Sequence, residues 1–222
     1  MPKAAFIKTM FDDISDKYDL LNDILSLGIH RLWKKKLANK IMATNPQSFL
    51  DCATGTGDIA NLIDSKGVKT QGIDFSPNMI ELAKKRNSHI PFQVDDLMGL
   101  SFEDKSFDAS NVSFGIRNVE EVSVALSEMA RVSKQSVFVM EFGQPENKIF
   151  KSIYFMIMRG FIPAIGKIFN REREYEYLIE SSSTFPSGAK FIEIMKSSTG
   201  FKTFKATPLF GGVVYIYEAH NK

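Results

Sequence analysis

The apolar positions of this chain change period several times along its length. Near the start, Phe6, Met10, Phe11, Ile14 and Tyr18 recur at three- and four-residue steps, the spacing of one helical face. Residues 19–22 break that pattern and leave room for a second short helix. Ser26-Leu27-Gly28 marks a turn, residues 30–42 predict a further helix, and Asn45-Pro46 closes the segment. From Ser48 short apolar runs alternate with helical ones. Strands are expected at about 48–53, 68–73, 91–94, 107–112 and 136–142. One helix is expected from Asp58. Another follows Ser76-Pro77, with serine as cap and proline in the first turn. A third is expected from Asn118, read as its cap, through Arg131, with Val122, Leu126 and Met129 on one face. Repeated strand–helix units imply a parallel sheet with right-handed crossovers.

Residues 146–173 break the alternation. Ile149, Phe150, Ile153, Tyr154, Met156, Ile157 and Phe161 crowd together, with Lys148, Lys151, Arg159, Lys167, Arg171 and Arg173 spaced among them. Pro163 and Gly166 interrupt the run, so two short helices or a helix and a loop are expected. One reading is a lid buried on the core. The other is an apolar mouth for a greasy substrate, with its basic residues resting at a membrane surface. Helices are then expected at 175–183 and 187–197. Strands at 201–207 and 213–218 flank Leu209-Phe210-Gly211-Gly212 and form a hairpin, so one of them runs antiparallel.

The candidate chemistry lies at strand ends. The stretch from Leu50 to Ala60, LDCATGTGDIA, runs a strand through Gly55 and Gly57 into a helix. Glycine lets a ligand lie against the backbone, and the new helix aims free N–H groups at it. The segment from Gly55 also fits the dinucleotide form G-x-G-x-x-A, a weak match by itself. Asp51 and Asp58 flank the turn and would repel a pyrophosphate, whereas the cationic S-adenosylmethionine (SAM) would be attracted. Either carboxylate also reads as a cap or a salt-bridge partner. Asp74, at the end of strand two, is placed to accept from ribose hydroxyls. Asp95 or Asp96 is placed to meet an adenine amino group. In a parallel sheet these strand ends share one crevice.

Composition narrows the partners. A net charge of +2 over 222 residues argues against a dedicated nucleic-acid binder. The basic cluster Arg31, Lys34, Lys35 and Lys36 reads as a solvated helix face or as a contact for anionic headgroups. Cys52 is the only cysteine, so no internal disulfide and no cysteine metal site is expected, and no metal is called for. No apolar signal stretch opens the sequence and no apolar run approaches a membrane span, so the expected compartment is cytoplasmic.

With these stretches in hand, the chain resembles the ubiquinone/menaquinone biosynthesis C-methyltransferase family over nearly its whole length. The resemblance rests on Phe11-Asp12, Ile14-Ser15, Tyr18-Asp19, Asn22, Ser26, Gly28 and Trp33 in order. It rests also on the loop from Leu50 to Asp58, on Gly72-Ile73-Asp74-Phe75-Ser76 with Met79, and on the heptamer from Ser113 to Val119. Glu141-Phe142-Gly143, Tyr177-Leu178, Phe185-Pro186 and Gly211-Gly212-Val213-Val214 follow in the family's order. One departure is clear: where the family reads Arg-Val-Leu-Lys-Pro-Gly-Gly this chain reads Arg131-Val132-Ser133-Lys134-Gln135-Ser136-Val137, so the Pro-Gly-Gly turn is absent and a shorter, altered loop is expected there.

The resemblance implies an α/β, Rossmann-like class I SAM-dependent methyltransferase. Its mostly parallel seven-stranded sheet would carry helices on both faces and a C-terminal antiparallel hairpin. One domain, 1–222, would comprise an N-terminal helical cap (1–45), a SAM-binding core (46–145), an apolar and basic helical lid (146–185) and a closing helix with hairpin (186–222). The implied reaction is methyl transfer from SAM to a ring carbon of a polyprenyl quinol, leaving S-adenosylhomocysteine (SAH). The cofactor set reads Asp51, Gly55, Thr56, Gly57, Asp74, Met79, Asp95, Asp96 and Ser113. A neutral aromatic carbon is a poor nucleophile, so the site needs a base or a cation that stabilises the quinolate. Arg117 is the candidate for that task, with His30 and Tyr18 as substrate-side groups. Tyr154 and Tyr177 read as mouth-lining or as core. Peripheral contact with the inner face of a membrane and a homodimer are both compatible with this picture. Other readings are a methyltransferase of another small phenol or amine, a nicotinamide oxidoreductase, and a non-catalytic quinone- or lipid-binding protein. An RNA methyltransferase is disfavoured by the lack of an Asn-Pro-Pro-Tyr motif and of a second cysteine.

Overall fold

The computed structural model describes residues 28–169 and 172–221. The helices expected before Gly28, and Tyr18 with them, lie outside the described residues. The first described helix, α1 (His30–Met42), turns Leu37, Ala38 and Ile41 inward. Then β1 (Ser48–Cys52), α2 (Asp58–Asp64), β2 (Lys69–Asp74), α3 (Pro77–Arg86), β3 (Phe92–Val94) and β4 (Phe107–Ser113) alternate as the periodicity predicts. After a 3-10 turn at Ile116–Asn118 come α4 (Val122–Val132) and β5 (Ser133–Phe142). The chain continues through α5 (Lys148–Phe169), α6 (Glu172–Thr184), α7 (Ala189–Thr199), β6 (Thr203–Leu209) and β7 (Val214–His220).

The seven strands form one sheet in the order β3-β2-β1-β4-β5-β7-β6. Strands β1 to β5 pair in parallel, and β7 runs antiparallel to both β5 and β6. The sheet is covered on both faces. Phe49, Ala109, Phe138, Met140 and Ile216 pack with α1 and α2 on one side. Leu50, Val112, Val137, Val139 and Tyr217 pack with α4 and α7 on the other. Burial on both faces is why Val137–Met140 of β5 reads as an unbroken apolar run, while β4 buries Ser110 and Asn111 as well.

Three expectations are corrected. Asn118 does not cap a helix: it closes the 3-10 turn, donating its backbone N–H to Gly115, and α4 starts at Val122 with no side-chain cap. Residues 148–169 form one 22-residue helix that runs across Pro163 and Gly166. The proline forfeits one helical hydrogen bond, a local cost that the apolar spacing on either side of it outweighs. The altered loop at 133–137 is no loop at all. Helix α4 ends at Val132 and β5 begins at Ser133, which pairs with Phe107 ahead of a bulge. With no Pro-Gly-Gly to lead the backbone off the sheet, the chain passes straight from helix to strand. Arg131 anchors this junction. Its guanidinium donates to the carbonyls of Leu100 and Phe102 and to the carboxylates of Asp104 and Glu128.

Candidate cofactor and acceptor site

A cavity of about 240 Å³ opens at the carboxyl ends of β1 to β4. Ala53, Gly55, Ile73, Asp74, Phe75 and Met79 form one wall, Asp95 to Met98 a second, and Ser113 to Gly115 with Asn118 to Glu120 a third.

The first wall is built on the turn after β1. Gly57 precedes α2 with φ +87°, and a Cβ there would meet Asn87 Nδ2 at 2.8 Å and the Phe92 ring at 3.0 Å, so glycine is required on both counts. Asp74 stitches this turn to the next one. Its Oδ2 accepts from the Gly55 N–H at 2.8 Å and its Oδ1 from the Ser76 N–H at 2.9 Å. The Ser76 hydroxyl caps α3 through the Met79 N–H, which seats Met79 in the wall.

The expected carboxylates separate once their partners are known. Asp51 is 2 % exposed and does not line the cavity. It accepts from the Thr54 hydroxyl at 2.7 Å, the Ala60 N–H at 3.1 Å and the Asn111 amide at 3.0 Å, so it braces the turn from beneath instead of facing a cationic ligand. Burial pushes its carboxyl up to about 6, against these hydrogen bonds and the pull of Lys34. Thr56 and Gly57 are buried and also off the wall. Asp95 is turned into its own loop, accepting from Asp96 N–H through Oδ1 and from both the N–H and hydroxyl of Ser101 through Oδ2. Asp96 is exposed and gives only Oδ1 to the Met98 N–H. Of the pair, Asp96 is the one with an oxygen to spare among the described residues.

The third wall is held just as closely. Ser113 accepts from Asn111, whose amide also reaches Asp51, so one hydrogen-bond chain ties the first and third walls. Phe114 sits at φ +59° and Ala53 at φ +49°, two non-glycine residues in the left-handed region on opposite walls. A Cβ on Gly115 would lie 2.6 Å from Ala53 Cβ, so the two loops touch there and only glycine fits.

Arg117 is not on the wall. Its Nη1 donates to the Phe114 carbonyl and to Glu141 Oε1, both at 2.7 Å, and its guanidinium lies 5.3 Å from the centre of the Phe142 ring. The side chains of Arg117 and Glu141 are 7 % and 0 % exposed. Burial pushes the Glu141 carboxyl up and Arg117 pulls it back. This buried pair pins the backbone of Phe114, a cavity residue, so the expected cation acts from behind the wall. His30 is buried in the first turn of α1 and is not among the lining residues. Tyr154 packs beside Phe150 on the face of α5 turned to the core, and burial raises its phenol to about 12. Tyr177, by contrast, donates its hydroxyl to Asn118 Oδ1 at 2.8 Å and so touches a residue of the wall.

Phe75, Leu97 and Phe114 also join the wall, each next in the chain to a strand-end candidate (Asp74, Asp96 and Ser113), and that adjacency is the signal that points to them. Met98, Val119 and Glu120 line it too, one or more residues further on, where no such adjacency marks them. Among the described residues no cluster of His, Cys, Asp and Glu is arranged to hold a metal ion.

Comparison with known proteins agrees with this architecture. The ubiE/COQ5 methyltransferase family matches residues 2–221. A protein of Bdellovibrio bacteriovorus named ubiquinone/menaquinone biosynthesis C-methyltransferase UbiE is 40 % identical, covering 100 % of this chain and 98 % of its own length. Its namesake from Zymomonas mobilis is 37 % identical over 97 % of this chain and 92 % of its own. Among solved structures, a SAM-dependent methyltransferase of Thermotoga maritima superposes with a TM-score of 0.68 at 19 % identity, covering 96 % of this chain and 99 % of its own. The magnesium protoporphyrin IX methyltransferase of Synechocystis PCC 6803, solved with SAH, gives a TM-score of 0.67 at 15 % identity, covering 99 % and 100 %. These structures share the class I methyltransferase fold, and the match of the family across residues 2–221 makes this chain a member of the ubiE/COQ5 methyltransferase family.

Proposed function

We propose that this protein transfers a methyl group from SAM to a ring carbon of a reduced polyprenyl quinol in menaquinone or ubiquinone biosynthesis. The observation that carries this reading is 40 % identity over the full chain to a protein named for that reaction. The residues on the cavity wall suit the cofactor. Asp74 places a carboxylate, the acceptor that ribose hydroxyls need, on the cavity wall, and Asp96 has an oxygen for an amino group. Phe75, Leu97 and Met98 offer apolar contact for a flat base, and Gly55 lets a ligand approach the backbone. Asp51 supports the Gly55 turn from below.

When bound, SAM supplies an electrophilic methyl whose bond pair leaves to sulfur, giving SAH. The chain's own residues position and shield. A quinol hydroxyl loses its proton to water, which drives charge onto the adjacent ring carbon. That carbon's electron pair takes the methyl, the ring proton leaves to restore aromaticity, and the ring oxygen regains a proton from water. The net change is one ring C–H exchanged for C–CH3 with release of SAH and a proton. Arg117 holds the Phe114 backbone in its left-handed turn through Nη1, keeping the third wall in place. The oxidised quinone has no hydroxyl proton to lose and is expected to be inert.

The test is label transfer from methyl-labelled SAM to demethylmenaquinone or a demethylated ubiquinone precursor, each reduced or oxidised. Label in the organic extract only with the reduced ring is the expected outcome, and the preferred ring names the pathway. SAH binding without label on either quinol would sink the quinone assignment.

We further propose that α5 rests on a membrane surface. Ile149, Ile153, Met156 and Ile157 stand 74, 47, 68 and 56 % exposed at helical spacing, and Phe150 joins them to the exposed Phe210. Lys148 is exposed beside them. No described helix is long and apolar enough to cross a membrane, so the contact would be peripheral. Flotation with anionic liposomes in low salt is expected, and to weaken in Met156→Asp. A protein that stays with the soluble fraction and sediments as a dimer would assign this face to a second copy instead.

A further inference from the structure

The Tyr177–Asn118 contact reaches further than packing. Asn118 lies on the cavity wall and is itself 9 % exposed. Its side-chain oxygen is taken by the Tyr177 hydroxyl at 2.8 Å. Its amide nitrogen makes no hydrogen bond to protein among the described residues. An asparagine amide is two-faced: one end accepts, the other donates, and its orientation is set by its partners. Ser181, one turn further along α6, also bonds Tyr177. The Tyr177 hydroxyl donates to Asn118, the one acceptor between the two, since the amide oxygen only accepts. Burial raises the phenol overall, which keeps that proton in place.

We propose that Tyr177 is a positioning residue for the methyl acceptor: it locks the Asn118 oxygen toward α6 and so presents the Asn118 N–H2 to the cavity as a donor for the acceptor's ring oxygen. This rests on the quinol reading above. A fixed donor where negative charge develops lowers the barrier, whereas an amide turned the other way would offer a carbonyl and repel it. The contact also ties α6 to the cavity wall.

The test uses the full chain. Tyr177→Phe is expected to lower kcat about tenfold and to leave the SAH dissociation constant within about twofold, because the lost hydroxyl frees the amide to turn. Asn118→Leu is expected to lower kcat about a hundredfold, the scale of a lost oxyanion donor. Because Tyr177 acts through Asn118, the double variant should match Asn118→Leu alone. A parallel arm needs no turnover: 2,3-dimethyl-1,4-naphthohydroquinone should bind the SAH-loaded Tyr177→Phe protein about tenfold more weakly than wild type. Wild-type kcat in Tyr177→Phe, losses that multiply in the double variant, or unchanged ring affinity would each overturn the inference. A wild type that binds SAH and methylates no quinol would overturn the functional reading, and the ring-affinity arm then decides the role of Tyr177 alone.

Discussion

The buried carboxylate beneath the cofactor turn should write itself into the pH dependence of stability. Asp51 is raised from 3.8 to about 6 by burial. A group that holds its proton more tightly in the folded state than in the unfolded chain stabilises the fold below the unfolded pKa, here about pH 4. That contribution is lost as pH rises through the folded value near 6. A gap of about two pKa units at about 1.4 kcal/mol each gives about 3 kcal/mol across this window. Asp51→Asn has no proton to lose there. Relative to the wild type, its unfolding free energy should therefore improve by about 3 kcal/mol between pH 4 and 7. Other titrating groups act on both proteins and cancel in the difference. The assay is urea unfolding of both proteins without ligand, followed by the fluorescence of Trp33, the only tryptophan. Stability curves that stay parallel within about 0.5 kcal/mol from pH 4 to 7 would refute the reasoning and place the proton elsewhere.

Three further outcomes follow from the same contacts. Glu141→Gln leaves the Arg117 cation buried without its counter-charge and should cost about 4 kcal/mol in chemical unfolding, of which Glu141→Gln with Arg117→Met recovers a part. Gly115→Ala drives a Cβ to 2.6 Å from Ala53 and parts the two walls; calorimetry should show SAH binding weakened about tenfold, with stability lower by about 1–3 kcal/mol. Asp74→Ala removes the acceptor for both Gly55 and Ser76, and SAH affinity should fall about a hundredfold while far-UV circular dichroism stays that of the wild type.

The strand–helix alternation was legible because apolar period is a local property, and it carried the crevice with it. In a parallel sheet, Asp74, Asp95 and Asp96 share an end as soon as β2 and β3 are placed. What each carboxylate does there was not legible. Asp51 turns from the ligand because Asn111, sixty positions on, is within reach of it. The difference between Asp95 and Asp96 depends on Ser101 folding back over the loop. Arg117 reads from the sequence as a residue with a task, yet its direction is fixed by Glu141 near the end of β5, a partner no spacing rule supplies. The same holds for Asn118, whose residue type suits a helix cap but whose oxygen is spoken for by Tyr177 on a distant helix. At Pro163 the local rule for breaking a helix lost to the periodicity around it.

The passage from α4 to β5 without a connecting loop has a consequence for how this sequence tolerates change. A loop absorbs insertions; a junction with none passes every added residue on as a rotation of the helix or a slip of the strand. Here a rotation would drag Arg131 away from the carbonyls of Leu100 and Phe102, and Glu128 away from the Leu100 N–H that it accepts. Those bonds shape the segment that begins at Leu97 and Met98 on the cavity wall. Length variation at residues 132–134 would thus be felt at the far end of the cofactor cavity, and the chain is least free to drift in length at a place remote from any reacting atom.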